Sequence, residues 1–126
     1  MLKKTITYTN YDGVEKTKDF YFNLKTSELI DLNYSSPKGF IDYTQKIIDS
    51  KDDGALWKAF RDIVLMAYGE KSEDGERFMK SPEISKAFEE TEAFSVLVTE
   101  LIQVENAASD FVNGIMPKDL AEKASQ

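Results

Sequence analysis

Alternating apolar and polar residues near the N-terminus predict a β-hairpin. In Lys3–Thr9, Ile6 and Tyr8 fall on one face of an extended segment and threonines on the other. This period-two pattern is typical of a half-buried strand. Asn10–Gly13 supplies residues that tolerate the positive φ of a tight turn. A second extended segment, Val14–Phe22, completes the predicted hairpin.

After the hairpin, the apolar residues recur at the three- and four-residue spacing of amphipathic helices. Hydroxyl or carboxylate residues that cap helices, two of them followed by proline at the first helical position, mark the predicted starts. These are Thr26, Ser36-Pro37, Asp53 and Ser81-Pro82. A further helical stretch is predicted from Thr91 to Asn106. The two clearest apolar stripes are Leu56, Phe60, Ile63, Val64 and Ala67, and then Phe94, Leu97, Val98, Leu101 and Ile102.

Glycines and charged runs predict where these helices stop. Tyr68-Gly69 is expected to end the first striped helix, with the glycine in the left-handed position. The segment Glu70–Lys80 then forms a charged loop that contains one apolar pair, Phe78-Met79. A last short helical turn is predicted over Asp110–Asn113, ended by Gly114.

Together the elements predict one α+β domain over residues 1–117. It consists of a β-hairpin at about residues 3–22 and a mainly α-helical part of five to six helices at about residues 26–117. Residues 118–126 are polar and lack a core pattern, so a flexible C-terminal tail is expected there.

Composition excludes several kinds of chemistry. The 126 residues include no cysteine and no histidine, which removes disulfides, thiolate nucleophiles, Cys/His zinc sites and Ser-His-Asp triads. A net charge of −7 disfavours a general affinity for nucleic acid or anionic lipid. No apolar run is long enough for a membrane span or a secretory signal, so a cytoplasmic protein is expected.

For each remaining candidate site, a purely structural role explains the residues better than a catalytic or ligand-binding role. The acidic residues are spread along predicted helix exteriors, which favours a charged surface over a catalytic carboxylate pair. A calcium loop starting at Glu70 would place Gly75 correctly, but Phe78 would be its ninth residue and Ser81 its twelfth, where glutamate is required. No glycine pattern for phosphate is present. We therefore expect a binding or assembly protein without cofactor or metal, and not an enzyme.

Two aromatic features bear on binding. Trp57 lies beside a helical stripe, which favours a partly buried core position over an interface anchor. In Phe20-Tyr21-Phe22, consecutive strand residues point to opposite faces. The hairpin is therefore either covered on both faces or covered by helices on one face and free for a partner on the other.

Three segments, in this order along the chain, carry a family resemblance. They are Lys3–Tyr8 with Asp12-Gly13 and Asp19–Leu24, then Tyr68–Ser81, and finally Phe111–Pro117. They resemble segments of the tail assembly chaperones of siphophages that infect Gram-positive bacteria. The resemblance spans nearly the whole chain, and the short segment after Pro117 is similar to the end of that family's shorter, non-frameshifted product.

The resemblance implies a non-catalytic role in building phage tails. Such chaperones bind the tape measure protein, keep it soluble, and help recruit tail tube subunits, chiefly through a frameshifted longer form. They act in the host cytoplasm and are absent from the mature virion. Self-association would be compatible with coating a long client.

We place the client contact on apolar residues that the hairpin or the charged loop is expected to leave exposed. These are Tyr21, Phe78, Met79 and Met116. Phe78 and Met79 interrupt a charged segment, and methionine adapts to varied surfaces. Their alternative role is to pin the loop to the core. The alternative function is a small acidic inhibitor or DNA mimic, which the lysines interleaved with the acidic residues disfavour.

Overall fold

A computed structural model describes residues 1–32 and 37–117. The tail predicted at residues 118–126 and the predicted cap Ser36 lie outside the described residues. The described part confirms the α+β fold, an N-terminal strand pair followed by six helices. In chain order the elements are β1 (Leu2–Thr9), β2 (Glu15–Phe22), α1 (Thr26–Asp31), α2 (Pro37–Ser50), α3 (Asp53–Ala67), β3 (Tyr68–Lys71), β4 (Phe78–Met79), α4 (Pro82–Glu89), α5 (Glu92–Gln103) and α6 (Ala107–Ile115).

The N-terminal hairpin forms as predicted. Strands β1 and β2 pair antiparallel over their full length, with Leu2 opposite Phe22. The Asn10 side chain accepts hydrogen bonds from the backbone N–H groups of Asp12 and Val14, both at 3.0 Å. Gly13 has φ 78°, a conformation that glycine adopts without a Cβ penalty. The turn residues therefore hold their own backbone and set the register of the strands.

A second hairpin lies within the part of the chain that was predicted to contain only helices and loops. Strand β3 pairs antiparallel with β2, and β4 pairs antiparallel with β3. The sheet has the strand order β1-β2-β3-β4. The segment Glu70–Lys80, predicted as a loop, therefore supplies part of β3, a tight turn and β4. Helix α3 ends at Ala67, and Tyr68 leads directly into the sheet with an extended backbone.

Helices cover one face of the sheet and form the core with it. Ile6 and Phe22 are buried on that face. The Phe22 ring lies 5.8 Å from the Phe88 ring of α4 and 5.3 Å from the Phe111 ring of α6, measured between centroids. Tyr68 stacks on Phe88 at 4.1 Å. These aromatic contacts join both hairpins to the helices.

The predicted cap Ser81 is confirmed, two other predicted caps are shifted, and Thr91 caps α5 without having been predicted as a cap. Ser81 Oγ accepts from the Ile84 N–H and Thr91 Oγ1 from the Phe94 N–H. Helix α3 is capped by Asp52 and not by Asp53, because Asp52 Oδ1 accepts from the Ala55 N–H. Thr26 is the first residue of α1, and Glu28 Oε1 accepts from the N–H of Lys25 at the cap position.

The last helix is longer than predicted. Helix α6 covers Ala107–Ile115 instead of only Asp110–Asn113, and Gly114 lies inside it. A Cβ at Gly114 would lie 3.0 Å from Leu2 Cδ1. Gly114 therefore permits close packing of α6 on β1 and does not end the helix. Ile115 then accepts a hydrogen bond from the Leu24 N–H at 2.8 Å, which ties the helix to the segment after β2.

Candidate functional site

The face of the sheet opposite the packed helices is largely polar. Thr5, Thr7, Thr17 and Asp19 are exposed there. Thr5 Oγ1 donates to Asp19 Oδ1 at 2.6 Å, and the hydroxyl oxygens of Thr7 and Thr17 are 3.0 Å apart. Cross-strand polar pairs of this kind stabilise a solvated sheet face. Within the described residues, this face is therefore free of core packing over most of β1 and β2.

An aromatic region interrupts this polar face where β2 meets the second hairpin. Tyr21 is opposite Gly69 in the register, and Phe78 is opposite Lys71. Because side chains two residues apart in a strand share a face, Tyr21, Lys71 and Phe78 lie on the same face. We call Tyr21, Lys71, Phe78 and Lys80 the aromatic–lysine patch.

Gly69 allows the Phe78 ring to approach the sheet. A Cβ at residue 69 would lie 2.7 Å from Phe78 Cε2 and 2.9 Å from the backbone oxygen of Met79. The ring therefore occupies the space above Gly69, whose partner in the register of β2 and β3 is Tyr21. The prediction that Gly69 takes a left-handed conformation at a helix end is wrong, since its φ is not positive. Close approach of β4 explains the glycine instead.

Two lysines cover the aromatic rings. Lys71 Nζ lies 4.9 Å from the centroid of the Tyr21 ring, and Lys80 Nζ lies 5.7 Å from that of Phe78. Ammonium groups at these distances are attracted to the electron-rich ring faces. The patch thus combines apolar rings with positive charge on a chain whose net charge is negative.

Lys80 is held more rigidly than Lys71. Its Nζ donates to the backbone oxygen of Asn23 at 2.7 Å and to Glu28 Oε2 at 2.6 Å. Burial lowers the pKa of Lys80, and the ion pair with Glu28 offsets only part of that effect. Beside Phe78, these residues line a groove of about 390 Å³. Lys80 therefore joins β4 to α1 at the edge of the patch.

The turn between β3 and β4 is stabilised by hydrogen bonds among its own polar groups. Ser72 Oγ donates to Asp74 Oδ1 at 2.6 Å, and the Glu76 N–H donates to the same oxygen at 3.0 Å. Donation by Ser72 is the main reason that the pKa of Asp74 is lowered. Gly75 has φ 75°. The carboxylate that the calcium alternative would need is thus engaged in shaping the hairpin.

The predicted contact residues do not all share one surface. Tyr21 and Phe78 lie on the same face of the sheet, in the aromatic–lysine patch. Met79 is opposite Glu70 and so lies on the other face of the sheet, half-buried. Met116 is 1% exposed, so the expectation that it is uncovered is wrong. Met116 follows the α6 residue Ile115, whose backbone bonds to Leu24, and this draws its side chain into the core.

The second hairpin was not predicted from the sequence, although the dipeptide Asp74-Gly75 is a hairpin signal that could have identified it. Trp57 is 43% exposed and does not belong to the core, so it is more exposed than a core position predicts. It precedes Phe60, the first buried residue of α3, and extends beyond the core. The hairpin was predicted to be covered either on both faces or by helices on one face only. Within the described residues, helices cover the Phe22 face and none packs over Tyr21.

The described helices include none that is both long and apolar enough to cross a membrane. The sequence profile of a family described as phage tail assembly chaperone matches residues 1–126, the whole chain. No curated protein and no solved structure has significant similarity to the chain. The profile match over the full length is what shows family membership. The chain therefore belongs to the phage tail assembly chaperone family.

Proposed function

We propose that this protein is a non-catalytic chaperone that binds the tape measure protein, keeps it soluble and helps recruit tail tube subunits. In this proposal it is the short product of a siphophage with a Gram-positive host, acts in the host cytoplasm and leaves before the virion is complete. Tube recruitment is assigned mainly to a frameshifted longer form. The family match over the whole chain supports the general role, and no observation favours an inhibitor or DNA mimic.

The aromatic–lysine patch is the main support for assigning the client contact to particular residues. Tyr21 and Phe78 are half-buried aromatic side chains on the sheet face that, within the described residues, lies opposite the buried core. Aromatic anchors supply large contact areas at low entropic cost, and binding energy concentrates on such residues. Lys71 and Lys80 hold the rings in place. We place the client contact here, with Met79 behind it supporting β4.

Exchanging both rings for serine (Tyr21→Ser/Phe78→Ser) is expected to abolish co-purification of the tape measure protein from the same phage. Loss of two anchors should cost about 2 kcal/mol or more of binding free energy. The measurement is the amount of tape measure protein retained by the affinity-tagged chain after co-expression. Circular dichroism of each purified variant reports whether the fold is kept.

Tyr11→Ser is the matched control, because Tyr11 is 76% exposed at the tip of the first hairpin, away from the patch. It should retain the client like the unmodified chain. If the double variant is folded and still retains the tape measure protein, the patch is not the contact. If the double variant unfolds, Tyr21 and Phe78 are core residues and the assignment is equally wrong.

A further inference from the structure

A second apolar surface lies at the corner where α2 is followed by α3 and α5 by α6. A groove of about 430 Å³ opens there. It shares no residue with the aromatic–lysine patch. We call it the corner groove, and its lining includes the apolar side chains Ile48, Leu56, Ile102 and Val104 and the charged side chains Asp49, Lys51, Asp53 and Glu105.

The apolar part of the corner groove is only partly covered by the protein itself. Val104, at the C-terminal cap of α5, is 53% exposed. Ile48, Leu56 and Ile102 are half-buried and pack against the core from its outer side. Water in contact with these side chains would be released by an apolar partner, which favours association.

The charged part of the groove is negative. Asp49, Asp53 and Glu105 contribute three carboxylates and Lys51 one ammonium group, which gives −3 + 1 = −2. All four side chains are exposed. The ends of α2 and α5 and the starts of α3 and α6 meet here, so the partial charges of helix termini oppose one another. The formal charges therefore decide which partner the groove prefers.

The backbone of the groove has a defined shape without a partner. Lys51 has φ 57° and Asn106 has φ 68°, and within the described residues these are the non-glycine positions with positive φ. Both line the corner groove. Asparagine adopts this conformation readily, whereas it is uncommon for lysine. Each of the two helix–helix corners that frame the groove therefore turns at one residue in the left-handed conformation.

We propose that the corner groove binds an amphipathic protein helix with lysine or arginine beside its apolar stripe. The apolar stripe would contact Ile48, Leu56 and Val104, as in other helix-in-groove complexes. The basic side chains would pair with Asp49, Asp53 and Glu105 at the rim. This site does not depend on the role assigned to the aromatic–lysine patch, and either assignment can fail without the other.

A pair of labelled synthetic peptides tests the chemistry. Both form a helix with leucines at i, i+3, i+4 and i+7, and the flanking positions carry lysine in one and glutamate in the other. Fluorescence anisotropy should show that the lysine peptide binds the unmodified chain about tenfold or more tighter than the glutamate peptide. Equal affinities, or no binding of the lysine peptide, would overturn the proposal.

Charge-reversal variants separate the groove from the net charge of the protein. Asp49→Lys/Glu105→Lys should bind the glutamate peptide better than the lysine peptide. The control Glu15→Lys/Glu73→Lys changes net charge by the same amount at exposed positions outside the groove. It should keep the preference for lysine. If both double variants lose the lysine peptide equally, only net charge attracts it and the groove is not the site.

Val104→Asn tests the apolar contact without altering the charge of the groove. Because Val104 is largely exposed, the variant is expected to fold, with an unchanged thermal unfolding midpoint. It should lose most of its affinity for the lysine peptide, since the apolar stripe would meet a polar amide. Unchanged affinity in this variant would contradict the proposal, even if the charge-reversal variant does not fold.

Discussion

Replacing Phe22 by alanine is expected to lower the free energy of unfolding by about 3–5 kcal/mol. Phe22 is 0% exposed, and its ring centroid lies 5.6 Å from that of Tyr68 and 5.3 Å from that of Phe111. The alanine variant would leave a cavity between the sheet and α6 that several elements would have to fill together. Since single domains are stable by about 5–15 kcal/mol, most of the stability would be lost.

Urea unfolding followed by circular dichroism measures this effect, and the adjacent residue supplies the control. Tyr21→Ala removes a ring of similar size from the opposite face of the same strand, where its known partner is Lys71. It should cost about 1 kcal/mol or less, the strength of an exposed cation–π contact. Equal losses at the two positions would show that the helices cover both faces and would remove the basis for the patch.

Gly69→Ala is expected to lower the free energy of unfolding by about 1–3 kcal/mol and to loosen the second hairpin. The new Cβ would lie 2.9 Å from the Met79 backbone oxygen. A backbone oxygen cannot rotate away as a side chain can, so β4 would have to separate from β3. The Ser72 N–H, which donates to Arg77 O at 2.8 Å, reports this loosening through faster hydrogen exchange.

Gly54→Ala is the matched control for this substitution. Gly54 lies in the first turn of α3, and a Cβ there would meet Asp52 Oδ1 at 3.5 Å, an ordinary contact. Alanine in a helix should leave stability unchanged or raise it by about 0.5–1 kcal/mol. If Gly69→Ala behaves like Gly54→Ala, β4 does not pack closely over residue 69 and the Phe78 ring does not occupy the space above it.

Elements that depend on local sequence could be predicted. The first hairpin follows from strand alternation and from Asn10 and Gly13. Helix α4 follows from the cap Ser81, and α5 follows from its apolar stripe. The second hairpin was not predicted because β3 has four residues and β4 has two, which is too few for a periodic pattern. Gly114 was misinterpreted because its packing against Leu2 joins opposite ends of the chain.

The candidate site was only partly predictable for the same reason. Tyr21 and Phe78 could be selected as aromatic residues in unusual contexts, but their position on one face of the sheet depends on pairing between β2, β3 and β4. Methionine is a residue type that is common at binding surfaces, but the side chain of Met116, which follows α6, is buried. Long-range packing decides exposure, and no local pattern encodes it.

The central claim is that this chain keeps the tape measure protein of its own phage soluble. The most direct measurement is the soluble fraction of that protein when it is expressed alone, with this chain, and with Tyr21→Ser/Phe78→Ser. The account predicts a largely insoluble client alone, a soluble complex with the unmodified chain, and an insoluble client again with the double variant. A client that is equally insoluble, or equally soluble, in all three cases would contradict it.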